Sequence, residues 1–232
     1  MERQQIVFVP GLNCTAELFR PQIDALAADH AIRIADHGSD DSITGMAKSL
    51  LAAAPPRFAL AGLSLGGYVA LEVMRQAPRR VTRLALLDTR ASPDSPQDAE
   101  IRHMLIKLAE IGKFDDVHSM LWPRLVHPSR FGDKALESIV HTMSDETGPK
   151  RFIRQQRAAL SRPDLRDELS MIACPTLVLV GDEDAITPPF MAEDMASVIA
   201  GSTLTIVPDC GHLSTLERPD VVTAALQQWL AA

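Results

Sequence analysis

Three segments of this chain of 232 residues contain side chains that could together perform nucleophilic catalysis. Ser64 lies in GLSLGG, three adjacent acidic residues follow the apolar run TLVLVG, and His212 lies in DCGH. A serine hydroxyl is a poor nucleophile at neutral pH, so it needs a base within hydrogen-bond reach and a carboxylate that orients the base. The residue types therefore predict a covalent mechanism in which Ser64 attacks and His212 carries the proton.

The segment around Ser64 predicts a strand, a sharp turn and a helix. In residues 57–75, RFALAGLSLGGYVALEVMR, an unbroken apolar run precedes the serine, which is typical of a strand buried on both faces. After the serine, apolar residues recur at helical spacing. Gly62, Gly66 and Gly67 would permit the turn, because side chains at such positions collide with the facing strand or helix. The first turn of the helix would offer free N–H groups to a developing oxyanion.

Strand and helix patterns alternate along most of the chain, which predicts a parallel sheet of six strands with helices on both faces. The predicted strands are residues 6–9, 31–35, the run before Ser64, 81–87, 176–181 and 203–207. Between about residues 92 and 171 only amphipathic helical patterns occur, starting from the Pro- and Asp-rich stretch SPDSPQDAE. We therefore predict a core of residues 1–91 and 172–232 and an inserted all-helical cap of residues 92–171.

The composition favours one globular domain that acts on a small-molecule substrate. Of the residues, 46% are hydrophobic and 23% are charged, and the formal net charge is −7. Nucleic acids and anionic membrane surfaces select basic proteins, so neither is an expected partner. The chain lacks an apolar run of about 20 residues and the start of a signal peptide, so we expect a cytoplasmic protein that is not bound to a membrane. A homodimer is compatible with the sequence, which leaves the oligomeric state open.

The acidic segment and the His212 segment both follow predicted strands, so they would lie where open parallel sheets bind their ligands. The order serine, acid, histidine is the order found in α/β-hydrolases. Four stretches resemble that superfamily, in particular its small capped esterases, lactonases and C–C hydrolases: VPGLNCTAELFRPQ, LAGLSLGGYVALE, CPTLVLVGDEDAITPP and CGHLSTLERPDVV. The resemblance covers nearly all of the predicted core and implies the α/β-hydrolase sheet without its first two strands.

The resemblance implies a catalytic triad, with Ser64 as nucleophile, His212 as general base and acid, and Asp184 as the orienting carboxylate. Asp184 is the third residue after the strand-ending glycine, as in the family, and Asp182 is its competitor. Asp88, after the preceding strand, is another position from which an acid could reach His212.

The resemblance also implies an oxyanion hole formed by the backbone N–H groups of Leu12 and Leu65. Many relatives carry His-Gly in the loop after the first core strand, where this chain has Pro10-Gly11. The departure leaves the Leu12 N–H available because only backbone is used, but it removes the polar contacts of that histidine.

The cap would close the pocket above Ser64 and set substrate choice. Trp122, in MLWPRLV, is the leading candidate for a substrate-binding residue. Four arginines are expected to be solvated or paired with Asp164, Asp167 and Glu168, and an inward-pointing one would imply a substrate carboxylate; they are Arg151, Arg154, Arg157 and Arg162. The other histidines fit no metal-ligand spacing and no G-x-G-x-x-G turn with a downstream acid occurs, so we expect neither a metal nor another cofactor.

The sequence is compatible with three functional hypotheses. The first is hydrolysis of a small carboxylic ester or lactone through an acyl-enzyme. The second is another reaction on the same triad, such as C–C bond hydrolysis, acyl transfer or elimination, because fold and triad do not determine the chemistry. The third is a ligand-binding signalling protein that keeps the triad but turns over slowly.

Overall fold

The computed structural model describes residues 3–232, and six strands in this part of the chain form one sheet. The strands are β1 (Gln5–Val9), β2 (Ala31–Ile34), β3 (Phe58–Leu63), β4 (Val81–Leu87), β5 (Thr176–Gly181) and β6 (Thr203–Val207). Their order is β2-β1-β3-β4-β5-β6, and every neighbouring pair is parallel. The prediction of a six-stranded parallel sheet is confirmed.

Helices connect the strands and cover both faces of the sheet. They are α1 (Arg20–Leu26), α2 (Ile43–Ala53), α3 (Leu65–Gln76), α4 (Pro96–Glu110), α5 (Phe114–Leu125), α6 (Lys134–Leu160), α7 (Pro189–Val198), α8 (Ser214–Glu217) and α9 (Pro219–Ala231). Among residues 3–232, no helix combines the length and the apolar character that a membrane span requires.

Alternate residues of the central strands point to opposite faces, and both sets are buried. In β1, Val7 and Val9 belong to the apolar core that also contains residues of α2 and α3, whereas Ile6 and Phe8 belong to the core with α1 and α9. Strands covered on both faces need apolar side chains at every position, because neither set reaches water. This requirement explains the unbroken apolar runs in the sequence.

Local capping signals set the first residues of two helices. The Ser42 hydroxyl accepts a hydrogen bond from the N–H of Gly45 at the start of α2. At the start of α4, the Ser95 hydroxyl accepts from the N–H of Asp98, and the Asp98 carboxylate accepts from the N–H of Ser95. These reciprocal bonds define the point where the chain between β4 and β5 becomes helical.

The regular elements between β4 and β5 are helical, and α4 packs against both α5 and α6. Helix α6 is interrupted at Gly148, which has a left-handed φ of 69° and is followed by Pro149. Helical periodicity in the sequence predicts one helix around residues 139–143 and another around residues 152–160, and the break at Gly148 lies between them. The division of the chain into a core and a cap of residues 92–171 stays a prediction.

Candidate active site

Ser64 lies at a sharp turn between the end of β3 and the start of α3. Its backbone has a φ of 55° and a ψ of −115°, a strained conformation for a residue with a side chain. A Cβ atom at Gly62 would lie closer than 3.0 Å to the carbonyl oxygen of Gly66, and one at Gly66 closer than 3.0 Å to that of Val9. The obstructing atoms are backbone atoms of packed elements, so both positions require glycine. The turn places the Ser64 side chain in the wall of a cavity.

Ser64, His212 and Asp184 form a connected chain of hydrogen bonds, although 148 residues separate the serine from the histidine. The Ser64 hydroxyl oxygen lies 2.9 Å from Nε2 of His212, and Nδ1 of His212 lies 2.7 Å from Oδ2 of Asp184. Because a carboxylate only accepts, the proton belongs on Nδ1, which donates to Asp184. In the neutral imidazole Nε2 is then an acceptor, so it is oriented to take the proton of the Ser64 hydroxyl.

The Asp184 carboxylate is buried in the turn after β5 and accepts four hydrogen bonds. Besides His212, the N–H groups of Ile186 and Thr187 donate to Oδ1 at 2.8 and 2.9 Å, and the Thr187 hydroxyl donates to Oδ2 at 2.7 Å. Burial alone would raise the pKa of Asp184, but the charge of His212 and these hydrogen bonds lower it below its ordinary value. The competing Asp182 is exposed, and its carboxylate accepts from a backbone N–H instead.

The loop that carries His212 is held from two directions. The N–H groups of His212 and Leu213 donate to the carbonyl of Leu125, at the end of α5, at distances of 3.0 and 3.1 Å. From the other side, the buried carboxyl group of Glu217 accepts from the Leu213 N–H. Burial alone would lower the pKa of His212, but the neighbouring Asp184 raises it, and the pKa lies above its ordinary value. The imidazole is therefore a stronger base than a free histidine.

Asp88 is a second buried acid close to Asp184 and His212. Its side chain is fully buried after β4, where it accepts hydrogen bonds from the Ser214 hydroxyl and from the N–H of Gly181. Burial and the nearby charge of Asp184 raise the pKa of Asp88 well above its ordinary value. Both of its oxygens are thus engaged with groups other than His212.

The two predicted oxyanion donors come from separate segments next to Ser64. Leu65 follows the serine as the first residue of α3, where a backbone N–H has no acceptor within the helix, and Leu12 lies after β1 and lines the same cavity as Ser64. His37 supports the Leu12 loop, since its Nε2 lies 2.7 Å from the carbonyl oxygen of Pro10. Burial lowers the pKa of His37 to about 4, so the neutral ring donates to this carbonyl. Sequence reasoning assigns His37 no role, because it lies in a polar stretch without apolar periodicity.

Asn13 ties the same loop to helix α6. Its backbone has a left-handed φ of 62°. Its N–H donates to Oε1 of Gln155 at 2.9 Å, and its side-chain amide donates to the hydroxyl of Ser144 at 2.8 Å. Gln155 and Ser144 are both buried, so these bonds are shielded from water. The position of the predicted oxyanion loop therefore depends on a helix that the sequence assigns to the cap.

One face of α5 forms a wall of the cavity, but the Trp122 ring does not line it. His118, Leu121 and Leu125 line the cavity, at the spacing of residues on one side of a helix. The Trp122 ring is buried in the apolar core that also contains residues of α1 and α9, and its Nε1 donates to the carbonyl of Phe131 at 3.2 Å. The structure thus places Trp122 in the core and not in the cavity wall, since apolar periodicity does not distinguish a core position from a cavity position.

Arginines also line the cavity, but they are Arg90, Arg102 and Arg124 and not the four that the sequence pattern singles out. Those four contact groups outside the predicted acidic set, namely Asp36 for Arg151, the Gly38 carbonyl for Arg154, Glu110 for Arg157 and Asp94 for Arg162. The predicted pairing is wrong because α6 and the turn after it pack against α4, the loop before α4 and the loop after β2. The partners of these arginines are therefore distant in sequence.

One group of side chains could share a metal ion on geometric grounds. Ligand atoms of Asp115, His141 and Asp145 lie within 4.8 Å of one another. Both aspartates are exposed, and the His141 ring already lies 3.1 Å from a carboxylate oxygen of Asp145. Exposed acidic groups of this kind are common without an ion, so we assign the cluster no part in the chemistry at Ser64.

Comparison with known proteins identifies the family of this chain. The model of the Alpha/beta hydrolase family matches residues 6–225, which is nearly the whole chain. The chain belongs to this family. The superfamily resemblance inferred from the four sequence stretches is confirmed.

Relatives of this alpha/beta hydrolase family member have several named activities. The putative carbamate hydrolase RutD of Rhizobium rhizogenes is 26% identical over 247 residues, covering 100% of this chain and 94% of its own. The pimeloyl-[acyl-carrier protein] methyl ester esterase of Nitrosomonas europaea is 27% identical over 204 residues, covering 82% of this chain and 80% of its own. A solved structure of a thermophilic esterase from Thermogutta terrifontis superposes with a TM-score of 0.90 at 29% identity, covering 98% of this chain and 89% of its own.

Proposed function

We propose that the protein hydrolyses a small carboxylic ester or lactone through an acyl-enzyme formed on Ser64. The observation that carries this proposal is the unbroken chain of hydrogen bonds from the Ser64 hydroxyl through His212 to Asp184. The arrangement supplies a nucleophile, a base that can take its proton, and a carboxylate that holds the base in the required tautomer.

The named activities of the relatives support an ester or a related small substrate. Two of the three compared proteins are esterases by name, and the third is a putative carbamate hydrolase. Esters, lactones and carbamates all contain a carbonyl carbon that a serine oxygen can attack. The same nucleophile and oxyanion hole therefore serve each of them.

In the proposed reaction, the Ser64 oxygen attacks the carbonyl carbon while Nε2 of His212 takes the hydroxyl proton. The N–H groups of Leu12 and Leu65 stabilise the negative charge on the carbonyl oxygen, and one such donor is typically worth about 3 to 4 kcal/mol. Asp184 stabilises the imidazolium, which then gives its proton to the departing alcohol oxygen. A water molecule, deprotonated by His212, attacks the acyl carbon, releases the acid and restores the Ser64 hydroxyl.

A fluorophosphonate probe, combined with an ester and lactone panel, tests this proposal. We expect one probe molecule to bind per chain, the adduct to lie on the Ser64 peptide by mass spectrometry, and activity to fall in proportion to labelling. We also expect sustained turnover of short-chain p-nitrophenyl esters or of small lactones. Labelling of a different serine that abolishes activity would contradict the assignment of Ser64.

The same experiment separates the competing functions. A burst of product followed by stalled turnover would identify the slow ligand-binding protein. Labelling of Ser64 without turnover of any ester or lactone would favour C–C hydrolysis, acyl transfer or elimination on the same residues.

Asparagine substitutions at the two buried acids should have very different effects. Asp184→Asn is expected to lower kcat about 10³- to 10⁴-fold, because an amide can leave His212 in the wrong tautomer and cannot stabilise the imidazolium. Asp88→Asn should lower kcat less than about tenfold, because asparagine can keep the bonds to Ser214 and Gly181. Steady-state kinetics with a p-nitrophenyl ester measures both, and equal losses would show that Asp88 shares the orienting role.

A further inference from the structure

The geometry points to a substrate that carries a carboxylate group, which Arg124 binds at the catalytic end of the cavity. This inference rests on the proposed ester or lactone hydrolysis and narrows its substrate class. Neither the fold nor the hydrogen-bonded triad requires such a substrate, because both serve neutral esters equally well.

The cavity wall carries several positive charges although the protein as a whole is acidic. Of the residues that the structure describes, Arg90, Arg102 and Arg124 line the cavity together with a single acid, Asp98, whereas the chain has a formal net charge of −7. Charges that face a partly enclosed, largely apolar space are screened less than charges on the open surface. The wall therefore attracts anions although the chain as a whole carries a net negative charge.

Two of these arginines belong to a partly buried network that contains more positive than negative groups. A guanidinium nitrogen of Arg90 lies 2.6 Å from a carboxylate oxygen of Asp94, and another lies 3.1 Å from one of Asp98. The Nε atom of Arg102 lies 2.7 Å from the second carboxylate oxygen of Asp94. Arg162 adds a third guanidinium, 2.9 Å from Asp94. Burial alone would raise the pKa of Asp94, but hydrogen bonds from Arg162 and Arg102 lower it to about 2, so it stays ionised. Three guanidinium groups meet two carboxylates, and one positive charge remains.

Arg124 is the cavity arginine that forms no ion pair within the described part of the chain. Its guanidinium makes one long hydrogen bond there, a donation of 3.5 Å to the carbonyl of Ala185. Ala185 directly follows Asp184, and the carbonyl of Leu125, the residue after Arg124, accepts from the N–H of His212. Arg124 therefore lies beside both loops of the triad. Its half-buried side chain presents a planar set of donors that suits two parallel bonds to a carboxylate.

Apolar side chains form much of the remaining wall and define the rest of the substrate. Leu12, Leu105, Leu121, Ile186 and Leu213 line the cavity together with Ser64. Such a wall binds hydrocarbon, while a few polar groups fix its orientation. The expected substrate is a small ester or lactone whose short hydrocarbon part connects the scissile carbonyl to a carboxylate.

Two matched pairs of esters test the inference by kinetics. Monomethyl adipate against methyl hexanoate places the carboxylate on the acyl side, and 4-carboxyphenyl butyrate against phenyl butyrate places it on the alcohol side. We expect the wild-type kcat/KM to favour the anionic member of one pair. Arg124→Gln should reduce that preference about 10- to 100-fold, mainly through KM, because a charged hydrogen-bond partner is lost. Arg124→Lys should restore part of it, since lysine keeps the charge but not the planar donor set.

The matched control is Arg166→Gln, at an exposed arginine paired with Asp164 and outside the cavity wall. This variant should show the wild-type preference and the wild-type activity. An unchanged preference in Arg124→Gln would overturn the inference while leaving ester hydrolysis at Ser64 intact. A wild-type enzyme that hydrolyses the neutral esters but prefers neither anionic member would overturn it in the same way.

Binding to the Ser64→Ala variant keeps the inference testable without turnover. Isothermal titration calorimetry with the same ester pairs should show tighter binding of the anionic member, and Ser64→Ala/Arg124→Gln should lose this difference. If the wild type hydrolyses none of the esters, the proposed function fails, and a preference that depends on Arg124 would still support the carboxylate site. Equal affinities in both variants would reject the site.

Discussion

Replacement of Ser64 by alanine is expected to lower kcat for an ester substrate by about 10⁴- to 10⁶-fold. Without the hydroxyl no acyl-enzyme can form, and His212 can only activate water for direct attack. The N–H groups of Leu12 and Leu65 remain in place, so a small residual rate above the uncatalysed reaction should persist. Stopped assays at high enzyme concentration, with mass spectrometry to exclude an acyl adduct, measure both parts of this prediction.

The loss should be chemical and not structural. The Ser64 hydroxyl bonds to His212, and alanine keeps the Cβ atom and the strained backbone of the turn, so the melting temperature should change by no more than a few degrees. Ser170→Ala, at an exposed serine, is the matched control and should keep full activity. Wild-type turnover in Ser64→Ala would remove Ser64 from the mechanism.

Replacement of Gly66 by alanine is expected to prevent folding. The new Cβ atom would lie closer than 3.0 Å to backbone atoms of Val9 and Pro10, at the end of a central strand. Relief would require β1 and α3 to separate, and both contribute to the main apolar core. We expect the substitution to lower the free energy of unfolding by more than about 4 kcal/mol. This is a large part of the roughly 5 to 15 kcal/mol by which a typical folded protein is stable.

Gly132→Ala is the matched control, since a Cβ atom there meets no other atom within 4 Å. It should change the free energy of unfolding by less than about 1 kcal/mol. Soluble yield and urea unfolding followed by circular dichroism compare the two variants. A folded Gly66→Ala with an unchanged unfolding midpoint would show that the turn tolerates a side chain.

The sequence predicts correctly those structural features that depend on interactions among neighbouring residues. Strands β4 and β5 occupy the predicted residues, because strands buried on both faces need uninterrupted apolar runs. The turn at Ser64 is predictable because glycine at positions 62 and 66 is a steric requirement of a strand that meets a helix.

The choice among acids depends on packing that no local pattern contains. Asp88, Asp182 and Asp184 all follow apolar strands, so each is a possible partner for His212 by position. In the structure only Asp184 bonds to His212, while Asp182 contacts a backbone N–H and Asp88 turns towards Ser214. Resemblance to a family selects Asp184 from the sequence, and the tertiary structure supplies the physical reason.

The sequence alone therefore determines the sheet, the serine turn and the short set of groups that could do chemistry, since apolar periodicity and glycine sterics act over a few residues. Only the tertiary structure decides what faces the cavity. It turns Trp122 into the core, brings Arg124 beside the triad loops and buries His37 beneath Pro10. The direction of each of these side chains depends on how whole helices and loops pack, and those contacts join residues that lie far apart along the chain.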